Sequence, residues 1–332
     1  PLRWRGSSDP AQRCAPAPRH LSGAPPRGRI ADMASSSKGP QRVADTIFRR
    51  DMLGPSFGHM AGSLTGLLLV EKLAMEFVLP PLVPILNALE ASLGRARFAM
   101  FGAMLIGTVA YWGIGGLLAV PACLRVKQWK IQVNKELDFG GLLASLPLVI
   151  FNFIAGNVVY TLALLELLPD SSFDFSTLPS TGTLARDIIA WLLLQEMSFF
   201  YVHRFFHENK RAYSAIHKLH HTWTAPISLV AIYCHPLEHM VANIGPLLIG
   251  PVLCGSHVAA ISVFLFLGLI HTTAVHSGYW ICDDNGMHDE HHRKFNVNYG
   301  VTGLMDSWYG TYKLPPGAVG APQVQEATAK AE

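Results

Sequence analysis

Long uncharged runs dominate the pattern of hydrophobic and polar positions along this chain. Phe98–Val120 covers 23 residues without a charge, and Gly140–Leu165 covers 26. A helix rises about 1.5 Å per residue and a bilayer core is about 30 Å thick, so each run is long enough to cross a membrane. A third run, Met240–His276, is 37 uncharged residues long but is broken by prolines and glycines. Those breaks predict two helices that turn back near the middle of the run.

The other apolar stretches carry charges and predict different helices. Met60–Gly94 is hydrophobic but contains Glu71 and Lys72, together with several prolines, which predicts an interfacial or broken helix. Residues 184–207 predict a helix, capped by Thr183, that returns the chain across the membrane. No stretch alternates convincingly with the period of a strand. The pattern therefore predicts an all-α polytopic membrane protein with about four transmembrane helices.

Composition and charge support this class and exclude others. Hydrophobic residues make up 50% of the 332 positions and charged residues 15%, which is unusual for a soluble domain. The net charge of +3 is too small to indicate nucleic acid. The five cysteines form no CxxC pair, which argues against a disulfide framework and a thiolate zinc site. Lysine and arginine are frequent in residues 121–139 and absent from 169–183, so the positive-inside rule predicts that 121–139 faces the cytosol.

The composition also divides the chain into segments. Residues 1–58 are expected to be a disordered N-terminal leader, with Met33 as a possible true start and an Arg-rich transit peptide as the alternative reading of the residues before it. Residues 59–183 are expected to form N-terminal membrane helices, and residues 184–313 a histidine-rich domain. Residues 314–332 are expected to be a disordered tail.

Histidines are concentrated in the third segment. Thirteen of the 15 histidines lie between His203 and His292. Eight of them form an HxxxH box and two HxxHH boxes, namely His203 and His207, then His217, His220 and His221, then His288, His291 and His292. Residues three and four apart share a helix face, so each box is expected to present its imidazoles to one point, as metal binding requires. Eight imidazoles exceed what one ion can bind, which indicates two metals.

Further residues near the boxes are candidates to complete such a site. His235, His239 and His276 are expected to extend the set of metal ligands. Three carboxylates, Glu238, Asp289 and Glu290, lie among the boxes and either orient imidazole N–H groups or are solvated surface charges. If all the boxes meet, they form a helical histidine-cluster cap on the cytosolic face.

The ordered triple box on a membrane scaffold resembles the fatty acid hydroxylase and sterol desaturase superfamily. Within it, the stretches HKLHHTWTAPI, YCHPLEH and HSGY are most similar to the methylsterol monooxygenase branch. The resemblance covers residues 184–313, which it identifies as a fatty acid hydroxylase-type catalytic domain. It implies that the eight box histidines bind metal, that His276 matches a further family histidine, and that His235 and His239 match the nearest branch.

The resemblance also implies an activity. It implies a multi-pass endoplasmic reticulum enzyme whose active site faces the cytosol and holds two Fe ions in a non-haem di-iron centre. O2 is the implied co-substrate, and cytochrome b5 and its reductase are the implied electron donors. The expected reaction is hydroxylation of a lipid C–H bond, and the C-4 methyl group of a sterol is the leading candidate. No catalytic residues are expected beyond the metal ligands.

Two alternatives stay open at this point. A fatty acyl hydroxylase or desaturase would use the same boxes, because desaturation begins with the same hydrogen abstraction. A histidine-rich metal- or haem-binding membrane protein without oxidase activity is the alternative from another class. A transporter of this kind would place its ligands near the bilayer midplane, whereas the triplets here flank the apolar runs.

Overall fold

The computed structural model describes residues 55–280 and 285–318, and these residues are mostly helical. No strand occurs within these two ranges, so the predicted all-α class is confirmed. Most of the predicted leader and tail lies outside the described residues, and the first helix begins at Pro55, inside the predicted leader. The helices are α1 Pro55–Leu73, α2 Val83–Leu93, α3 Arg95–Cys123, α4 Phe139–Leu167, α5 Thr181–Glu208, α6 Lys210–Ala215, α7 Pro236–Cys254, α8 Val258–Val275, α9 Met287–Lys294 and α10 Leu304–Tyr309.

Four of the described helices, α3, α4, α7 and α8, are long and apolar enough to cross a membrane, which confirms the predicted number. Helices α3 and α4 contain the two uninterrupted apolar runs. The third run forms α7 and α8, which meet at Gly255 in the left-handed conformation, with φ of 58°. Pro251 lies inside α7, so the glycine and not the proline marks the turn.

Helix α5 is as long as the spans but carries more charge. Its 28 residues include Asp187 and Glu196, both buried, and it is not among the four apolar helices. It begins one residue after Ser180, whose hydroxyl accepts a hydrogen bond from the backbone N–H of Thr183 at 3.2 Å. The predicted cap at Thr183 was therefore wrong, because Ser180 provides the capping oxygen three residues earlier.

Helix α5 packs tightly against the α7–α8 hairpin at Trp191. The Trp191 indole N–H donates to Ser256 Oγ at 3.2 Å, and its ring lies 5.0 Å from the ring of Phe264 on α8. A Cβ atom placed on Gly250 of α7 would lie only 2.7 Å from Trp191 Cα. Glycine therefore permits the close approach of α5 and α7, which sets the position of the histidine-bearing end of α5.

The N-terminal apolar stretch is a broken helix, in agreement with the sequence. Helix α1 continues as a π-helical turn over Ala74–Val78 and is followed by a 3-10 turn over Pro80–Leu82. Gly94, with φ of 79°, then separates α2 from α3. The prolines lack the N–H groups that a continuous helix needs, which accounts for the break.

A cap of short helices and turns covers one end of the long helices. Asn152 of α4 holds it through its side-chain amide, which donates to the carbonyls of Ile232 and Cys234 at 2.9 Å each. Gln132, in the segment between α3 and α4, donates to the carbonyl of Thr224 at 2.7 Å. The Lys-rich segment that follows α3 therefore lies on the same end of the molecule as the cap.

Candidate metal centre

Nine histidines, from the cap and from the ends of α5 and α8, converge in two groups. In each group the ring nitrogens that face one another lie within 4.8 Å, a spacing that allows a single ion to be held. The first group contains His203, His207, His217, His221 and His291, and the second contains His220, His276, His288 and His292.

Each group is assembled from several elements. The HxxxH box lies in the last turns of α5, and the third box lies on α9. The second box forms a 3-10 turn over His217–Thr222 instead of an α-helix. His276 is the residue that ends α8. The groups therefore form only where the ends of α5 and α8 meet the cap.

The spacing of each HxxHH box predicted that its three imidazoles would face one point. The structure shows that they do not. His217 and His221 join the first group while His220 joins the second. In the third box His291 joins the first group, and its two neighbours join the second. On α9 the reason is helical geometry, because residues four apart diverge by about 40° and residues three apart by about 60° in the opposite sense. Each triplet thus contributes to both groups.

Hydrogen bonds on the outer side of the rings orient most of these imidazoles. Six of them place Nδ1 within 2.7–3.3 Å of a carbonyl or carboxylate oxygen. Such a bond places the proton on Nδ1 and leaves the Nε2 lone pair free to bind a metal. The pairs are His203 with Tyr299 O, His217 with Glu238 Oε1, His220 with Tyr233 O, His276 with Thr272 O, His291 with Val297 O and His292 with Trp223 O.

The inner nitrogens fit a bound cation better than they fit one another. The Nε2 atoms of His207, His217 and His221 form a triangle with sides of 2.7, 3.0 and 3.0 Å. Each neutral Nε2 either donates or accepts a hydrogen bond, so three mutual contacts cannot all be hydrogen bonds, and at least one opposes two lone pairs or two N–H groups. Nitrogens bound about 2.1 Å from one ion at right angles would lie about 3 Å apart. The donor set therefore suits a metal that binds imidazole.

Burial keeps these imidazoles neutral. Removal from solvent lowers the pKa of His220 to about 4 and the pKa of His276 to about 3. It also lowers the pKa of His288, His291 and His292 well below the ordinary value of 6.5. Metals bind the neutral form of imidazole, so the site is prepared for binding at neutral pH without a cost for deprotonation.

Two histidines predicted as ligands lie outside both groups. His235 caps the start of α7, where its Nδ1 accepts a hydrogen bond from the backbone N–H of Leu237 at 3.2 Å. His239 is buried within α7, with Nδ1 3.1 Å from the amide nitrogen of Asn243. Its ring packs against Gly156 of α4, where a Cβ atom would lie 2.5 Å from Nε2. These contacts give both residues structural roles at the edge of the site.

The three carboxylates differ in what they contact. Glu238 Oε1 lies 2.7 Å from His217 Nδ1 and so orients a ring of the first group. Asp289 Oδ1 accepts from the side chain of Gln132 at 2.8 Å. Glu290 is fully buried and forms ion pairs with Arg293 and Lys294. Of the three carboxylates, Glu238 thus has the contact with a histidine of the two groups that an orienting role requires.

Sequence reasoning did not single out the groups that hold the rings from outside. Five of the six orienting acceptors of Nδ1 are backbone carbonyls, which no residue type reveals. The buried carboxylates of Glu196 and Asp306 were also missed. A glutamate inside the apolar part of α5 was the available signal, because a charge there is costly unless it has partners.

An apolar cavity of about 340 Å³ leads to both histidine groups. His203, His220 and His276 line one part of it, and Leu192 and Phe264 line another. Leu192 precedes His203 by 11 residues on α5, which corresponds to about 16 Å along the helix axis. The cavity is therefore elongated along the helices, and a hydrocarbon that occupied it would place one end beside the histidines.

Comparison with known proteins agrees with this architecture. The family model described as fatty acid hydroxylase matches residues 188–311, which include both histidine groups. Methylsterol monooxygenase 1 of Rattus norvegicus is 30% identical over 231 residues, which cover 63% of this chain and 75% of that protein. The chain belongs to the fatty acid hydroxylase family. The resemblance inferred from the three boxes is thereby confirmed.

Other relatives carry the same family name. Fatty acid hydroxylase domain-containing protein 2 of Homo sapiens is 35% identical over 221 residues, which cover 63% of this chain. The match spans 66% of that relative's length, slightly less than two thirds. Fatty acid hydroxylase ahd1 of Mycosarcoma maydis is 32% identical over 190 residues, which cover 56% of this chain and 49% of that protein. No solved structure matches the chain.

Proposed function

We propose that this protein is a membrane-bound, non-haem di-iron oxidase that hydroxylates a C–H bond of a lipid with O2. The observation that carries the proposal is the position of two groups of neutral imidazoles at one end of an elongated apolar cavity. Such a cavity suits a hydrocarbon, and it brings one part of that hydrocarbon next to imidazoles that can hold a redox metal.

Each histidine group is proposed to hold one iron ion. The proposed ligands are the nine histidines of the two groups, and His235 and His239 are left out because they lie outside both groups. Bound iron supplies the O2 chemistry that breaks an unreactive C–H bond. The protein supplies neutral imidazoles, fixes their orientation through Nδ1, and excludes water with the apolar walls of the cavity.

A sterol with a methyl group at C-4 is the proposed substrate class. Support comes from the relatives named methylsterol monooxygenase and from the apolar lining of the cavity. A fatty acyl chain is the alternative, supported by the relative named fatty acid hydroxylase. Either lipid would enter from the bilayer, because the cavity lies among the long apolar helices.

We further propose that the histidine groups face the cytosol at the endoplasmic reticulum and receive electrons from cytochrome b5 and its reductase. The Lys-rich segment after α3 lies on the same end as the cap, and the positive-inside rule assigns that end to the cytosol. Electrons must come from outside the described part of the chain, since its described side chains include no electron carrier apart from the proposed metal ligands.

The test combines metal content with product formation. Full-length protein is purified in detergent, and its iron is measured by mass spectrometry. It is then incubated with O2, cytochrome b5 and its reductase, and either a 4-methylsterol or a fatty acid. About two irons per chain and a hydroxylated sterol support the proposal, while a hydroxylated or desaturated acyl chain supports the alternative substrate. Absence of iron and of any product contradicts an oxidase.

Variants connect this activity to the two groups. His291→Ala removes a ring from the first group and His220→Ala one from the second, so each is expected to lower iron content and to reduce product by at least about 100-fold. His235→Asn is the matched control, because asparagine also caps a helix and His235 lies outside both groups. Full activity in either alanine variant would contradict the ligand assignment.

A further inference from the structure

A buried carboxylate lies two turns before the first histidine of the HxxxH box. Glu196 is 1% exposed and lies on the same face of α5 as His203, seven residues later. Its oxygens accept three backbone N–H groups, from Val301 at 2.8 Å, Thr302 at 2.7 Å and Met305 at 2.9 Å. These backbone donors provide partners for the buried carboxyl oxygens, and in return the two oxygens fix the loop that carries the donors.

A second buried carboxylate holds the same loop from its other side. Asp306 accepts the backbone N–H groups of Tyr299 at 2.8 Å and Gly300 at 2.7 Å. Gly300 lies between the two acids, since a Cβ atom there would be 2.5 Å from Glu196 Oε1 and 3.0 Å from Asp306 Oδ2. Five N–H groups within residues 299–305 are therefore directed at two carboxylates, and no side chain at Gly300 could be accommodated.

The loop held in this way also orients the first histidine group. The carbonyl of Tyr299 lies 2.8 Å from His203 Nδ1. Two residues earlier, the carbonyl of Val297 lies 2.7 Å from His291 Nδ1. Glu196 thus connects to His203 twice, once along α5 and once through the loop. A shift of the loop would move the acceptor that determines which nitrogen of His203 carries the proton.

We infer that Glu196 is a positioning residue for the first histidine group. Its two oxygens hold the 299–305 loop so that the Tyr299 carbonyl keeps the proton of His203 on Nδ1 and directs Nε2 toward the metal. A carboxylate is required because only two acceptor oxygens can receive all three N–H groups, whereas a glutamine would direct its own N–H₂ at one of them. The inference rests on the proposed function, in which the first group binds iron.

The experiment measures metal affinity in the full-length, detergent-purified protein. Iron binding is followed by competition with a chelator in wild type, Glu196→Gln, His203→Ala and the double variant. Glu208→Gln is the control, because Glu208 ends the same helix in an exposed ion pair with Arg204. We expect Glu196→Gln to weaken binding of one of the two irons by about 10- to 100-fold, the usual range for a residue that orients a metal ligand.

The double variant separates positioning from a general loss of structure. If Glu196 acts through His203, Glu196→Gln weakens binding much less once His203 is alanine than it does in wild type. Equal losses in both backgrounds, or none in wild type, would overturn the inference. If Glu196→Gln does not fold, Glu196→Asp, which keeps the charge with a shorter reach, replaces it with the same two expectations. If the wild-type chain binds no iron, the proposed function fails together with the inference. If it binds iron but Glu196→Gln has no effect, only the inference fails.

Discussion

At the scale of single residues, the buried polar groups around the histidines are held mainly by defined hydrogen-bond partners. The Nδ1 atoms of six histidines of the two groups contact oxygens, and Glu196 accepts three N–H groups. An unpartnered buried polar group costs about 1 to 3 kcal/mol, so these contacts also stabilise the cap. Mutations that remove an acceptor are therefore expected to affect folding and metal binding together.

Glu71 contrasts with these groups and permits a test by pH. It is fully buried in α1, and its carboxylate oxygens find no hydrogen-bond partner among the described residues. Burial raises its pKa from 4.5 to about 8. A raised pKa in the folded state gives a contribution to stability that is fully present below pH 4.5 and is lost as the pH rises through about 8.

Glu71→Gln is therefore expected to remove this loss. The variant should resemble wild type near pH 5 and be more stable than wild type at pH 9 by a few kcal/mol, because one pKa unit corresponds to about 1.4 kcal/mol. Thermal unfolding in detergent between these pH values measures the difference. Glu76→Gln, at a half-exposed position in the following turn, is the control, and an identical pH profile of wild type and Glu71→Gln would contradict the expectation.

At the scale of helices, the histidine groups depend on how closely α5 approaches α7. The glycine turn at Gly255 folds α7 and α8 into a hairpin, and Trp191 of α5 contacts both of its arms. The C-terminal end of α5 carries His203 and His207, and His276 directly follows the C-terminal end of α8. The packing around Trp191 thus determines whether these histidines meet, although none of them is close to it in sequence.

Gly250→Ala tests this packing. The new methyl group would lie 2.7 Å from Trp191 Cα, a backbone atom that cannot move without shifting α5. We expect a loss of about 1 to 3 kcal/mol, as for other overpacked interiors, together with lower iron content. Gly102→Ala in α3 is the matched control, because a Cβ atom there meets nothing within 4 Å. Equal thermal unfolding midpoints and equal iron content for the two variants would contradict the role of Gly250.

At the scale of the whole molecule, the cap and the loop that follows α4 lie at opposite ends of the long helices. The cap and the Lys-rich segment share an end with Cys123, which is the last residue of α3. The loop at residues 169–183 follows α4 at the other end of the bundle. If the cap faces the cytosol, a lipid substrate from the bilayer and an electron donor on the cytosolic side approach the histidines from different directions.

Membrane orientation can be tested with cysteine labelling. Cys123 is exposed, and Ser171 is an exposed residue of the opposite loop. In cells with a selectively permeabilised plasma membrane, an impermeant maleimide is expected to label a chain whose single cysteine is Cys123. It should label a Ser171→Cys chain that lacks other cysteines only after detergent opens the endoplasmic reticulum. The reverse pattern would place the histidine groups in the lumen.

The linear sequence was sufficient for the features that depend on local patterns. Uncharged runs determine the apolar spans, because each residue must be compatible with lipid independently of its neighbours in space. Gly255 and the adjacent breaks predicted the hairpin, and the order of the boxes predicted the family. A centre with two metals stays a prediction. The charge difference between 121–139 and 169–183 gives an orientation that stays a prediction.

Only the tertiary structure decided how the histidines are shared. Spacing alone assigned His217, His220 and His221 to one point, but their outer partners turn His220 away from the other two. Those partners are a glutamate 21 residues away from His217 and a backbone carbonyl beside His220, and neither is encoded in the box. Ligand sets are formed by contacts between distant elements, so the sequence specifies which imidazoles are available and the packing of α5, α8 and the cap specifies where each one points.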